Sequence, residues 1–418
     1  MIGARSDEGA ASIPGRGAAG WRSLLFAYLA LLAGAYLVRD HDLLRHAFWV
    51  IALAAAVLLL RADDYRALVR SSVGCLALVY LGWFGLSALW SEPRRIGVLD
   101  VALSGFAIAA FLVITVALLR RDPSFLRRLM LALVWVGGGA ALVAMLWFYA
   151  HHEFPTERVE DFGIGGYFTR AGTMYGVATV GAWWLLDREW RMPARRLALA
   201  SCAGVLLAFV ALAQARGAML GLMLAALTWA IVTRQRALLA LGLGVLAVLI
   251  GLQYAGVFGA YDLLARGFTL RLYTWADALA RMPDALWLGY GIADPQTFIL
   301  KHGETVIHPH TIMHPHSAFF GHQLQGGLVG TTIFVGLLAA AAKVGWRAWR
   351  KRADFLILTL VAFLVGNGLV DFGHFYSELD LEWFLFWLPI ALAAGTEVTL
   401  KGLSAARPGE RSPCGSPS

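Results

Sequence analysis

Long apolar runs that recur from end to end constrain the fold of this chain more than any other feature. They fall near 22–38, 44–60, 72–90, 98–119, 127–150, 168–186, 196–213, 217–233, 237–255, 317–342, 354–370 and 382–399. A helix rises about 1.5 Å per residue, so roughly 20 apolar residues cross a hydrocarbon core. Lipid offers the backbone no hydrogen-bond partner, so such runs must be helical. A spanning barrel would instead show short alternating segments, and the sequence has none. It therefore predicts an all-α integral membrane protein of about 12 transmembrane helices. The composition agrees: 59% of residues are hydrophobic, 15% are charged, and mean hydropathy is +0.66. A soluble domain would carry about 25% charged residues.

The runs divide the chain. Residues 1–255 hold transmembrane helices 1–9. Residues 256–316 form a long periplasmic loop with short helices, including an amphipathic one, and a His-rich segment. Residues 317–400 hold transmembrane helices 10–12, and 401–418 form a disordered cytoplasmic tail. The net charge of +8 does not point to nucleic acid, because the basic residues sit in short clusters between apolar runs. With the N-terminus inside, about two-thirds of the 35 basic residues fall in cytoplasmic segments, as the positive-inside rule requires. Clusters such as Arg120, Arg121, Arg127 and Arg128, or Arg350, Lys351 and Arg352, carry that bias. Both termini are then cytoplasmic. All eleven histidines fall in or beside segments on the opposite side, and the topology rule does not explain that.

Other classes find little support. Cytoplasmic loops are too short to hold a nucleotide, and no phosphate-binding loop motif is present. Gly289-Tyr290-Gly291 reads as a turn on the outer side. Cys75 and Cys202 lie in apolar runs and Cys414 in the tail, with no metal-ligand spacing, so neither a disulfide nor a thiol–metal site is expected. Ala33-Gly34-Ala35 resembles a signal-peptidase site, but the polar region before it is long and another span follows at once, so an uncleaved first span is expected.

Four groups of polar residues collect on the outer side. The first is Arg216 in the tight turn Gln214-Ala215-Arg216-Gly217. An arginine there either snorkels to the interface or binds an anion, and its guanidinium fork matches phosphate oxygens. The second is Arg271 with Trp275, four residues apart on one face of a short surface helix. A cation–π anchor is the alternative reading. Arg281 pairs with Asp277 at the same spacing and is set aside. The third is the run from His308 to Ser317, containing His308, His310, His314 and His316. Its prolines keep the backbone extended until a helix begins near Ser317. His316 then stands at the helix start, with His322 and Gln323 one to two turns on. A neutral imidazole there suits proton abstraction; a His-x-His metal site and an inert polar loop are the alternatives. The fourth is Asp371, His374 and Glu378, which either support a histidine or form a solvated loop.

The order of these motifs carries a family resemblance. An Arg-Gly turn opens a span, and a long outer loop follows with Arg-x3-Trp. A Pro-x5-Gly-x-Gly stretch (Pro283 to Gly291) comes next, then His-x-His-Ser leading into Gly-Gly-Leu-Val-Gly. Over residues 210–345 this resembles the O-antigen ligase / Wzy-type superfamily of bacterial envelope glycosyltransferases, and the chain's size matches the lipid A–core O-antigen ligases. His316-Ser317 stands where many relatives have His-Asn. The resemblance implies transfer of a glycan from undecaprenyl pyrophosphate to a sugar hydroxyl of lipid A–core, inverting, in the periplasmic face of the bacterial inner membrane. It implies neither metal, nucleotide nor other cofactor. It gives His316 the role of general base and Arg216 and Arg271 that of pyrophosphate ligands. Arg170 and Arg158 become secondary donor contacts, with Trp275, His314, Gln323 and Asp371 as further substrate-binding candidates.

An O-antigen polymerase of the same superfamily is the near alternative. A polytopic lipid or glycan transporter and a non-catalytic envelope assembly protein are alternatives from other classes. The topology has its own check. A phosphatase fused after Glu160 should be active in the periplasm, and one fused after Ala353 inactive; the reverse pattern would invert the orientation.

Overall fold

The computed structural model describes residues 16–92, 96–154, 157–189, 192–234, 267–294, 298, 301–302, 305–306, 314–371 and 375–405. The expected span 237–255, residues 256–266, 295–297, 299–300, 303–304 and 307–313 of the expected loop (among them His308 and His310), and His374 and Cys414 lie outside the described residues.

The described chain is helical apart from one pair of two-residue strands, Lys301–His302 and Thr305–Val306, joined antiparallel. In order the helices are α1 (Arg16–Gly34), α2 (His41–Leu58), α3 (Ala62–Arg70), α4 (Ser72–Ser87), α5 (Val98–Arg121), α6 (Phe125–Tyr149) and α7 (Phe168–Arg188). Then come α8 (Pro193–Leu212), α9 (Arg216–Thr233), α10 (Gly267–Arg281), α11 (Ala318–Arg352), α12 (Leu356–Val370) and α13 (Leu388–Ala405). A π-helical turn, Trp383–Trp387, leads into α13.

Among the described residues, seven helices are long and apolar enough to cross a membrane, or eight if α3 and α4, bent by 92°, count as one span. Two more apolar helices, Ala18–Gly34 and Leu356–Val370, are shorter. The count of twelve thus stays an expectation, although each expected span within the described residues coincides with a helix. One boundary shifts. α13 continues to Ala405, past the expected start of the tail at residue 401.

Several charged residues near helix ends are paired, among them Arg128 with Asp122 and Arg188 with Asp354. Asp64, fully buried, accepts from Arg120 at 3.0 Å and from Arg121 at 2.6 and 2.8 Å. The sharp bend between α3 and α4 is held from α13, where Glu397 accepts from the Ser71 hydroxyl at 2.8 Å, the Ser72 hydroxyl at 2.9 Å and the Val73 amide at 3.3 Å. These contacts satisfy donors that a helix start leaves open.

Two devices position the candidate site residues. The first is a close crossing of α9 and α12. A Cβ added at Gly221 would lie 2.6 Å from the Phe363 carbonyl, and one at Gly366 would lie 2.8 Å from the Gly221 Cα. Gly217 and Gly221 form a small-xxx-small face that lets two backbones meet.

The second is a break in α11 at Gly327, whose φ of 62° and ψ of −164° are not helical. A break leaves carbonyls and amides without intrahelical partners, and buried groups must find them elsewhere. The segment 286–291 supplies them. Tyr290 and Gly291 amides donate to the Leu324 and Gln325 carbonyls at 2.7 and 2.9 Å, and Leu328 and Val329 amides donate to the Leu286 and Trp287 carbonyls at 2.8 and 3.3 Å. Trp83 Nε1 donates to the Gly326 carbonyl at 3.1 Å. Gly289-Tyr290-Gly291, expected to be a simple turn, is therefore the edge that docks on the broken helix. Its glycines have positive φ, and a Cβ at Gly289 would lie 2.5 Å from the Gln325 carbonyl carbon.

Gly327→Ala should be costly, because the left-handed backbone is strained by a side chain and the new Cβ would lie 2.3 Å from the Trp287 backbone. A loss of about 1–3 kcal/mol is expected, read as an earlier melt of the detergent-solubilised protein. Gly336→Ala, on the same helix with open space at its Cβ, should melt no earlier than the parent.

Candidate active site

The α9–α12 crossing brings the first functional pair together. Arg216 is the first residue of α9 and Asp371 is the C-cap of α12. A Cβ on Gly217 would fall 2.6 Å from the Asp371 Cβ and 2.3 Å from the Asn367 Oδ1, so only glycine after Arg216 permits this approach. Asn367 is fully buried, and its Nδ2 donates to Thr173 Oγ1 at 3.4 Å. The start of α11 enters from a third side, where Gly368 lies against Ala318.

His316 precedes the N-cap of α11 in a left-handed conformation, φ 51°. Its Nδ1 lies 3.5 Å from Asp371 Oδ1, and its ring sits 4.2 Å from that of His314, nearly edge-on. Trp275 on α10 fixes this segment, since its indole N–H donates to the Pro315 carbonyl at 2.9 Å and its ring packs against Phe320. Trp275 therefore holds the peptide between His314 and His316 in place.

The electrostatics describe one cluster. Burial disfavours ionised Asp371, but the hydrogen-bonding and charge of His316, with the charges of Arg271 and His314, outweigh it and hold its carboxyl below the usual range. Burial first, then the charges of Arg216 and Arg271, opposed by that of Asp371, together push the Arg158 guanidinium down to about 10. Arg158, Arg216, Arg271, His314, His316 and Asp371 thus act on one another across one site, although they come from five separate stretches of chain. Three guanidiniums outnumber the carboxylate there, so the arrangement suits an anion.

Arg158 is built in rather than loose. Its Nε and Nη2 donate to the Ala213 and Gln214 carbonyls at 3.2 and 3.0 Å, and the guanidinium lies 3.5 Å from the Phe168 ring centre. It therefore clamps the α8–α9 turn that precedes Arg216.

Two candidates have other partners. Arg170 on α7 forms an ion pair with Asp380, tying the α7 start to the segment before α13. Gln323 donates through Nε2 to the Leu286 carbonyl at 3.0 Å and accepts from Thr331 at 3.0 Å, so it fastens the docked segment. His322 is a core residue; its Nε2 meets the Tyr80 hydroxyl at 2.7 Å and its ring stacks on Phe334 at 3.8 Å. Arg281 binds Asp277 at 2.7 Å, as its spacing predicted. Glu378 binds Arg45 at 3.0 Å. The sequence reading missed Ser87 and Ser91, which accept from the Ile292 and Ala293 amides at 2.9 and 3.1 Å. Their place at the end of an apolar run was the available signal.

Beside Arg158 opens a cavity of about 610 Å³, lined by Arg39, Trp147, Phe148, His152, Asp161 and neighbouring residues.

The fold and site define a polytopic helical membrane protein with a cluster of arginines around a His–Asp pair. Residues 203–335 match the family model described as O-Antigen ligase. The chain is also 28% identical over 374 residues to the O-antigen ligase of Pseudomonas aeruginosa strain PAO1, covering 87% of this chain and 88% of that protein. About a third of the chain thus resembles the O-antigen ligase family model, and most of its length is similar to that Pseudomonas ligase.

Asp371→Asn removes the carboxylate that faces His316 amid the charges of Arg158, Arg216 and Arg271. The protein should melt earlier, with a cost on the order of 3 kcal/mol. High salt should narrow the gap by screening the repulsion. A gap independent of salt would contradict the clustering of these charges.

Proposed function

We propose that this protein is an inverting, metal-independent glycosyltransferase at the periplasmic leaflet of the bacterial inner membrane, moving a glycan from undecaprenyl pyrophosphate to a sugar hydroxyl of lipid A–core. The observation that carries this reading is the His316–Asp371 pair set among Arg158, Arg216 and Arg271.

The chemistry requires few parts. Asp371 faces Nδ1 of His316, which favours the tautomer protonated there and leaves Nε2 as the acceptor. The acceptor oxygen attacks the anomeric carbon of the donor. The bond from that carbon to the pyrophosphate oxygen breaks, and its electron pair leaves with the pyrophosphate. The acceptor proton passes to His316 Nε2. Arg216 and Arg271 meet the negative charge that grows on the leaving group, and Arg158 adds its field while holding the turn. Apolar helix faces accommodate the polyprenyl chain. No nucleotide enters the reaction.

Similarity to the Pseudomonas aeruginosa O-antigen ligase favours ligation over polymerisation. A transporter would place charged groups near mid-membrane. Here Arg216 and Asp371 stand at helix ends.

The test is a purified transfer assay in nanodiscs with lipid-linked glycan and lipid A–core. His316→Ala should slow transfer by about 100-fold or more, with unchanged protein in the membrane. Arg216→Ala and Arg271→Ala should each abolish it. Near-parental transfer by His316→Ala would remove the base assignment. In cells, a deletion strain should accumulate lipid-linked polymer; attachment of single repeat units instead would mark a polymerase.

A further inference from the structure

The cavity beside Arg158 is not used by the chemistry above, and its walls differ in kind from the arginine cluster. Trp147, Phe148 and His152 at the end of α6 and Phe162 and Phe168 across from them are aromatic, while Glu157, Glu160 and Asp161 supply carboxylates. The rings are already ordered. His152 stacks on Phe148 at 3.9 Å, nearly parallel, and Trp147 meets Phe162 edge-on at 5.4 Å. Trp147 is 55% exposed, so part of a large flat ring faces open space.

The loop that makes the cavity is pinned from three sides. The Ile164 amide donates to the Ala35 carbonyl at 3.0 Å, the Val159 amide to the Leu212 carbonyl at 3.3 Å, and the Tyr149 hydroxyl to the Glu157 carbonyl at 2.8 Å. Asp161 is 3% exposed. Its Oδ1 accepts from the Tyr175 hydroxyl at 2.6 Å, whereas its Oδ2 has no hydrogen-bond partner among the described residues. A buried carboxylate oxygen without a partner is costly and marks a place where a donor is expected.

These features select a ligand class. Three carboxylates face two arginines, and Arg158 already donates to two backbone carbonyls. That balance disfavours a phosphate. Carboxylates accept from hydroxyls, and aromatic faces pack against the C–H face of a sugar ring. The volume lies within the roughly 300–1,000 Å³ of ligand pockets.

We propose that the cavity bounded by Trp147, Phe148, Glu160 and Asp161 is a saccharide subsite, holding a sugar ring of a glycan substrate next to the Arg158 edge of the arginine cluster. This rests on the glycosyl-transfer reading for its substrate. Both the acceptor core and the donor glycan present sugar rings, and two arms of one experiment separate them.

The full-length protein in nanodiscs is probed by saturation-transfer NMR with lipid-free core oligosaccharide in one arm and lipid-free O-antigen repeat in the other. One of them should give ring-proton signals that fall at least fivefold in Trp147→Ala and in Glu160→Gln. In the transfer assay, KM for that same substrate should rise about tenfold, with kcat and the other substrate's KM held. Glu160→Gln changes no ring packing, so it covers the case in which Trp147→Ala loses fold. Parental KM for both substrates in both variants would overturn the subsite while leaving the transfer reading intact. Saccharide binding that responds to these substitutions in a protein without transfer activity would keep the subsite and sink the transfer reading. Absence of signal from either oligosaccharide on the parent protein would also overturn the proposal.

Discussion

The structure depends first on how closely α9 approaches α12. Between helices in lipid there is no hydrophobic drive of the kind that works in water, so association rests on packing, and small residues let backbones touch. Gly217, Gly221 and Gly366 provide that contact. The consequence is chemical as well as mechanical. The first turn of α9 carries Arg216, the end of α12 carries Asp371, and a side chain at Gly217 would drive them apart. The start of α11, and with it His316, then packs against the same end through Ala318 and Gly368.

A second constraint is the accounting of backbone hydrogen bonds at the break in α11. A broken helix inside a membrane protein persists only where other groups satisfy the freed amides and carbonyls. The segment 286–291 does so, and the glycines of both partners are required because the two backbones pass within contact distance. The Gly-x-Gly of the outer loop and the Gly-Gly of the following helix are therefore two halves of one joint. The joint fixes α11 beyond His316, while Trp275 holds the peptide before it through Pro315.

Several polar residues that stand out in the sequence are occupied with structure. Arg170 is committed to Asp380 and Gln323 to Leu286 and Thr331. His322 is enclosed by aromatic rings and the Tyr80 hydroxyl. The sequence does not separate these from Arg216 or His316, because a polar residue near a helix end looks the same whether its partner is a ligand or another side chain. Ser71, Ser72 and Glu397 illustrate the converse. They are more than 300 residues apart along the chain and form one cap, which no local pattern announces.

The sequence by itself determined that the chain is helical and apolar enough for a bilayer and roughly where the long apolar helices lie, although it did not announce α3 and placed the end of α11 about ten residues early. Those properties follow from local length and hydropathy, since the backbone must bond within its own segment in lipid. The amphipathic helix at 267–281 and the Arg281–Asp277 pair were legible for the same reason, being matters of helical spacing. Only the tertiary structure decided that Arg158, Arg216, Arg271, His316 and Asp371 face one another, and that an aromatic, carboxylate-lined cavity opens beside them. Such proximity arises from helix crossings set by glycines and from a loop docked on a broken helix, and those are contacts between distant parts of the chain.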